Sequence, residues 1–158
     1  MKTNSEYSSP ILFYSVSEKF GEFSNFATYP IEIGNKIWPT SEHYFQAQKL
    51  TDSTYINKIR KAKSPLTAAR LGRSRKIPIK TNWEKIKDSV IQLAVTEKFI
   101  QHAELQELLL STENRKIIEH TLNDSYWGDG GDGSGKNMLG RILMNVRSQL
   151  QKKSQHGN

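Results

Sequence analysis

Before residue 40 the apolar positions fall in short β-like runs; after it they recur at helical spacing. Ile11-Leu12-Phe13-Tyr14 is one such run, and Tyr29-Pro30-Ile31-Glu32-Ile33, Gly34-Asn35 and Lys36-Ile37-Trp38 predict a hairpin with a Gly-Asn turn. Pro39 stops the hairpin, and Thr40 or Ser41 caps a helix that reaches about Leu50. Asp52 opens a second helix carrying Tyr55, Ile56 and Ile59; Ser64-Pro65 opens a third, with Gly72 read as its end. Trp83, Ile86, Val90, Leu93 and Ala94 follow the 3.6 period and predict the longest helix, to about Ile100. Residues 103–110 predict another helix, and residues 116–121 fit helix or strand equally. Leu139, Ile142, Leu143, Val146 and Leu150 give a final amphipathic helix, with Asn137 as its cap. The expected fold is α+β: one helix-dominated domain over residues 11–151 with a small N-terminal β-sheet. Residues 1–10 are expected to be a disordered tail and residues 152–158 a C-terminal tail.

Composition narrows the class. The 158 residues contain no cysteine, which excludes a disulfide framework, a thiol nucleophile and thiolate metal sites. No apolar run approaches a membrane span, and residues 1–10 lack the apolar core of a secretory signal, so a cytoplasmic protein is expected. The net charge of +7 is concentrated. Between Ser53 and Trp83 there are nine basic residues and no acidic one: Lys58, Arg60, Lys61, Lys63, Arg70, Arg73, Arg75, Lys76 and Lys80. Such a window is either a solvated surface or a site for phosphate, nucleotide or nucleic acid.

Two segments could carry chemistry. In Trp38-Pro39-Thr40-Ser41-Glu42-His43-Tyr44-Phe45-Gln46-Ala47-Gln48-Lys49, a helix places Glu42, Gln46 and Lys49 on one face, at i, i+4 and i+7. Aromatics cover the rest of that helix, so Glu42 is expected to be buried or to line a cleft; the plainer reading is a carboxylate stabilising a helix N-terminus. The second segment, residues 123–135, has five glycines within eight residues. Residues 130–137 read G-x-x-x-x-G-K-N, but the last position of a phosphate loop must be Ser or Thr, and no apolar strand precedes it. A calcium loop starting at Asp129 also fails, with glycine at positions three, five and twelve. What remains is a backbone cradle for phosphate or sugar beside Asp124, Trp127 and Asp129, or a flexible surface loop. His43, His102, His120 and His156 lack metal-ligand spacing, so no metal and no cofactor are expected. Trp83 opens its helix as a core residue or stacks on a base.

These segments together resemble the NADAR family (NAD- and ADP-ribose-associated). The resemblance is carried by Phe23-Ser24-Asn25-Phe26, the Trp38 to Lys49 string, Leu71-Gly72-Arg73, Asn82-Trp83-Glu84, Lys98-Phe99, Asp124-Ser125-Tyr126-Trp127-Gly128-Asp129-Gly130-Gly131, Gly135-Lys136-Asn137-Met138-Leu139-Gly140 and Leu143-Met144. It spans nearly the whole chain and implies hydrolysis of an N-glycosidic bond. Two substrate classes follow from it: ribosylamino-pyrimidine phosphates of riboflavin biosynthesis, cleaved to ribose 5-phosphate, and ADP-ribose on a nucleobase such as guanine in DNA. The compact chain resembles the first branch more closely. The implied partners are a small phosphorylated ribosyl substrate or ADP-ribosylated nucleic acid, with no membrane partner. The implied roles are Glu42 and Asp124 as the catalytic carboxylates, with acid and base unassigned between them. Trp83 and Trp127 would wall the base, Phe23, Asn25 and Gln46 would position substrate, Arg70 or Arg73 would take phosphate, and the loop with Gly128 and Asp129 would close over the sugar. The rival of another class is a non-catalytic nucleotide or nucleic-acid binding module using the basic window.

Overall fold

The structure is a computed structural model that describes residues 9–156. Its elements are β1 (Ile11–Phe13), β2 (Ile31–Ile33), β3 (Lys36–Trp38), α1 (Ser41–Ala47), α2 (Ser53–Arg60), α3 (Pro65–Arg73), α4 (Trp83–Gln101), α5 (Ala103–Ser111), β4 (Ile117–Glu119) and α6 (Met138–His156), with a 3-10 turn at Gly21–Phe23. The fold is α+β and helix-rich. It is built as two compact units, residues 25–101 and residues 9–24 with 102–156; nothing in the sequence marked that division. Among the described residues no helix is long and apolar enough to cross a membrane.

In the middle unit, local chemistry sets the boundaries. Thr40, Asp52 and Ser64 each accept a backbone N–H from three residues on, at 3.2, 2.9 and 3.1 Å. Caps of this kind contribute about 1 kcal/mol each. Gly34 and Asn35 both have positive φ, and strand pairing Ile33↔Lys36 closes on them as a two-residue turn whose twist suits a hairpin. Helix α1 is buried at every one of its seven residues, packed by α2, α3, α4 and β3. The apolar stripe of α4 lies round from where the period placed it: Trp83, Ile91, Ala94, Val95, Lys98 and Phe99 are buried, whereas Leu93 is exposed. Gly72 does not end α3, which runs to Arg73. A Cβ at Gly72 would lie 2.1 Å from the Gln46 amide oxygen, so this glycine lets α3 approach α1.

In the other unit, residues 116–121 resolve as a strand. β4 pairs parallel with β1 in the register Ile11↔Ile117, so the sheet structure is not confined to the first 40 residues. Asn137 is not the side-chain cap expected for α6. Its Oδ1 accepts from the Glu119 N–H and its Nδ2 donates to the Ile117 carbonyl, both at 2.9 Å, so it ties β4 to the start of α6. Helix α6 packs on β4 and α5. Its buried Arg147 donates to the Thr112 hydroxyl and the Arg115 carbonyl. The helix continues to His156, into the stretch expected as a tail. Residues 1–8 of the other expected tail lie outside the described residues.

Candidate active site

The middle unit gathers polar side chains around α1. Thr40 bonds the His43 backbone N–H, and its hydroxyl lies 2.7 Å from His43 Nδ1. His43 Nε2 is 3.0 Å from the Ala62 carbonyl. A carbonyl can only accept, so Nε2 carries the proton and Nδ1 accepts from Thr40. Desolvation holds His43 below its ordinary pKa against the raising effect of the Ala62 bond. This neutral imidazole, hydrogen-bonded at both nitrogens, fastens α1 to the link between α2 and α3.

At the start of α1, the Glu42 backbone N–H donates to the Asn25 carbonyl at 3.2 Å, and Ser41 donates its hydroxyl to Asn25 Oδ1 at 2.8 Å. Asn25 is therefore anchored to the first turn of α1. One turn on, Gln46 Nε2 donates to Glu42 Oε1 at 2.7 Å. The opposite amide orientation would set two acceptors against each other, which fixes this one. Gln46 Oε1 is left buried against Gly72 with no hydrogen-bond partner. Glu42 is 8% exposed, a carboxylate withdrawn from water but still reachable.

Lys49 completes the group. It too is 8% exposed. Its ammonium lies 5.5 Å from the Phe45 ring centre and 6.0 Å from that of Trp83, and those two rings are 5.1 Å apart. Desolvation pulls its pKa from 10.5 to about 8; Glu42 opposes that shift, Arg75 and Arg73 add to it, and Glu84 opposes it weakly. Lys49 was placed on the right face by its spacing but was not among the expected site residues. The signal was there: a lysine one turn past two polar residues on an aromatic-coated helix has to be buried or used.

Of the residues expected at the site, Asn25, Glu42, Gln46, Arg73 and Trp83 come together in this unit. Trp83 is only 4% exposed, its ring given over to Phe45 and Lys49. Arg70 and Arg73 are both exposed on α3, but only Arg73 acts on Lys49. Arg75 folds back on the Gly72 and Arg73 carbonyls at 3.1 Å, closing the end of α3.

Phe23, Asp124, Trp127, Gly128 and Asp129 belong to the other unit. Phe23, expected beside substrate, is 1% exposed and packs on Phe13 and Phe20 at 5.9 and 5.5 Å; it is core. Asp124 Oδ1 accepts from the Tyr126 and Trp127 N–H groups at 2.9 and 2.8 Å. Asp129 is buried, with Oδ2 2.8 Å from His120 Nδ1 and Oδ1 accepting from Thr121 and Gly131. Desolvation raises the Asp129 pKa, but the bonds from His120, Gly131 and Thr121 together outweigh it and hold the carboxyl below its usual range. The glycine-rich loop is neither loose nor an open amide cradle. The N–H groups of Asp129, Gly130, Gly135, Lys136 and Asn137 bond to carbonyls of residues 119–129. Gly128 is needed because a Cβ there would meet the Glu119 and Asp124 carbonyls at 2.8 and 2.9 Å. Trp127 is half-buried, edge-on to Tyr126 at 4.8 Å. Among the described residues no three His, Asp or Glu side chains cluster to hold a metal.

The NADAR domain model matches residues 12–151. The chain is 56% identical over 140 residues to N-glycosidase YbiA of Escherichia coli K12, covering 89% of this chain and 88% of that protein. It is 39% identical over 143 residues to N-glycosidase Npun_R5314 of Nostoc punctiforme, covering 89% and 92%. It is 42% identical over 142 residues to the riboflavin biosynthesis protein VVA0006 of Vibrio vulnificus, covering 90% of this chain and 39% of that longer protein. The NMR structure of E. coli YbiA has a TM-score of 0.89 to this structure at 52% identity, covering 96% of this chain and 90% of that one. A match over nearly the full length, in sequence and in fold, places the chain in the NADAR family.

Proposed function

We propose that this N-glycosidase of the NADAR family hydrolyses ribosylamino-pyrimidine phosphates, releasing ribose 5-phosphate and an aminopyrimidine. Relatives named as N-glycosidases and as a riboflavin biosynthesis protein support the reaction and substrate classes. The observation that carries the reading is Glu42: a nearly buried carboxylate, aligned by Gln46 and still reachable from solvent.

Breaking a C–N bond at ribose C1 builds positive charge on C1 and the ring oxygen. A desolvated carboxylate stabilises that charge far better than water would, and it can accept a proton from the attacking water. The Gln46 bond to Oε1 fixes the orientation of the carboxylate. Asn25 is held through its Oδ1 by Ser41, which leaves its Nδ2 to donate to substrate hydroxyls. Arg73 supplies the phosphate contact, with Arg70 as the alternative on the same helix. The family resemblance would add Asp124 as the second carboxylate and Trp127 as a ring for the base; both belong to the other unit. No step requires a metal, so turnover survives dialysis against EDTA.

Removal of ADP-ribose from a nucleobase is the second reading, since the bond broken is of the same type and the basic window could hold more phosphates. Steady-state kinetics on the small phosphate, on its dephosphorylated form and on ADP-ribosylated DNA separate the readings. We expect efficient cleavage of the small phosphate, with modest change between about 50 and 200 mM salt, and poor cleavage without the 5-phosphate, whose binding helps orient the sugar. Equal efficiency with and without phosphate removes the anchor. Cleavage only of modified DNA, collapsing with salt, moves the chain to the second reading.

A further inference from the structure

We propose that Lys49 is a covalent nucleophile in this reaction: its amine captures ribose C1 as an imine, expels the aminopyrimidine, and is freed by water. The inference rests on the N-glycosidase reading above. It replaces direct attack of water on the glycoside by attack of Lys49, and it keeps Glu42 as the carboxylate facing C1.

Four observations support it. Lys49 lies two residues past the end of α1, near enough to Glu42 for the carboxylate to act on its charge. Its amine rests over the Phe45 and Trp83 rings, and among the described residues it makes no hydrogen bond or close ion pair that would tie it down. Its 8% exposure leaves a way in. Two acids and two arginines face it: Glu42 on α1 and Glu84 on α4 raise its pKa, Arg73 and Arg75 at the end of α3 lower it, and with desolvation the net value is about 8. At pH 7 about a tenth of such amines are neutral and nucleophilic. A desolvated lysine beside other cations is the arrangement that activates amines for imine formation. A lysine needed only for its charge would gain nothing from having that charge weakened.

The substrate class has the matching property. In a ribosylamine the nitrogen is outside the ring of the base, and its lone pair can open the sugar. The C1–O4 bond breaks, O4 takes a proton, and C1 becomes doubly bonded to nitrogen. The neutral Lys49 amine adds to C1, and the C=N electrons return to the substrate nitrogen. Glu42 takes a proton from the new ammonium and delivers it to that nitrogen. The C1–N bond to the pyrimidine then breaks, its electron pair leaving with the aminopyrimidine, while the lysine lone pair forms C1=Nζ. Water adds to C1 and loses a proton to Glu42, which returns it to Nζ. The C1–Nζ bond then breaks as the C1 hydroxyl becomes the carbonyl and releases its proton, which makes good the one O4 took, leaving the free amine and open-chain ribose 5-phosphate. One water is consumed, and no oxidant or reductant takes part.

The test is reductive trapping. The protein is incubated with ribosylamino-pyrimidine phosphate and cyanoborohydride near pH 7, and the intact mass and peptides are read. The expected result is one reduced ribose phosphate on the peptide holding Lys49, with loss of turnover in parallel. Lys49→Arg keeps the positive charge but cannot make the imine; it should give no adduct and lose a hundredfold or more in kcat. Nucleotides joined through a ring nitrogen, such as uridine monophosphate, should not be cleaved, because their nitrogen cannot open the sugar in this way. Wild-type turnover without any Lys49 adduct, an adduct only on other lysines, or Lys49→Arg within tenfold of wild type overturns the covalent step and leaves the N-glycosidase reading standing. Should Lys49→Arg fail to fold, the wild-type trap alone decides. Wild-type protein that releases no ribose 5-phosphate at all overturns the reading beneath both.

Discussion

The α1 cluster and the glycine-rich loop are the two segments that carry most of the family resemblance, and their polar groups are disposed in opposite ways. In the loop both aspartates are occupied locally: Asp124 by the Tyr126 and Trp127 N–H groups, Asp129 by the Thr121 and Gly131 N–H groups and the His120 ring. Around α1, polar groups are just as buried but less satisfied. Gln46 Oε1 has no partner, and Lys49 is held by rings rather than acceptors. Leaving a buried polar atom unpaired costs on the order of 1–3 kcal/mol. A fold tolerates that where the group has another use. Internally satisfied polar residues make shape, and under-satisfied ones are where chemistry is to be sought.

Substitutions that keep shape and remove charge press hardest on that contrast. Glu42→Gln should fold normally and lose at least a hundredfold in kcat, about 2.7 kcal/mol or more of transition-state stabilisation. Near wild-type turnover would take Glu42 out of the reaction. Gly72→Ala is expected next in size. Its Cβ would meet Gln46 Oε1 and Cβ at 2.1 and 2.8 Å, so α3 or Gln46 must shift. Overpacking of this kind costs about 1–3 kcal/mol. Because Gln46 aligns Glu42, kcat should fall together with the melting temperature. A variant that loses stability but not kcat would show that Gln46 only packs.

What the sequence disclosed and what it hid divide along the range of the interactions. Thr40, Asp52 and Ser64 act within three residues, and the Gly34-Asn35 turn is complete in four, so local pattern was enough. Glu42 and Gln46 were legible as one helix face. Gly72 was misread because a glycine at a helix end looks like a cap; what requires it is the approach of Gln46 from another helix. Asn137 failed for the same reason, its side chain being taken up by β4 rather than by its own helix. Strand β4 was ambiguous because its partner β1 lies at the other end of the chain. Phe23 was expected at substrate by resemblance, and only packing shows it committed to Phe13 and Phe20.

Acid tests the loop side of the contrast. Asp129 has a pKa held below its ordinary value, so the unfolded chain binds the proton first as pH falls. Its contribution is fully present above the unfolded value near 3.9 and is lost as pH falls through the lower, folded value. Urea unfolding of wild type and Asp129→Asn from pH 6 to pH 2 should show wild type more stable at pH 6, with the gap closing below pH 4. A constant gap would mean that the Asp129 bonds do not depend on its charge, and that shape alone holds the loop.

The two tryptophans give the smallest effects and the finest division. Trp83 is 4% exposed, between Phe45 and Lys49, whereas Trp127 is half-buried and edge-on to Tyr126. Trp83→Phe retains most of the apolar volume but weakens the seat of the Lys49 ammonium, so it should lower stability by about 1 kcal/mol. Its KM should move less than about threefold, since a buried ring has little face left for a base to stack on. Trp127→Phe should do the reverse, with stability nearly unchanged and KM raised severalfold, because an accessible indole stacks on a base better than a phenyl ring does. Binding of an uncleavable analogue should then quench the fluorescence of Trp83→Phe, which retains Trp127, more than that of Trp127→Phe. The opposite hierarchy, in KM and in quenching, would make Trp83 the wall of the base and would leave Trp127 as part of the loop's own packing.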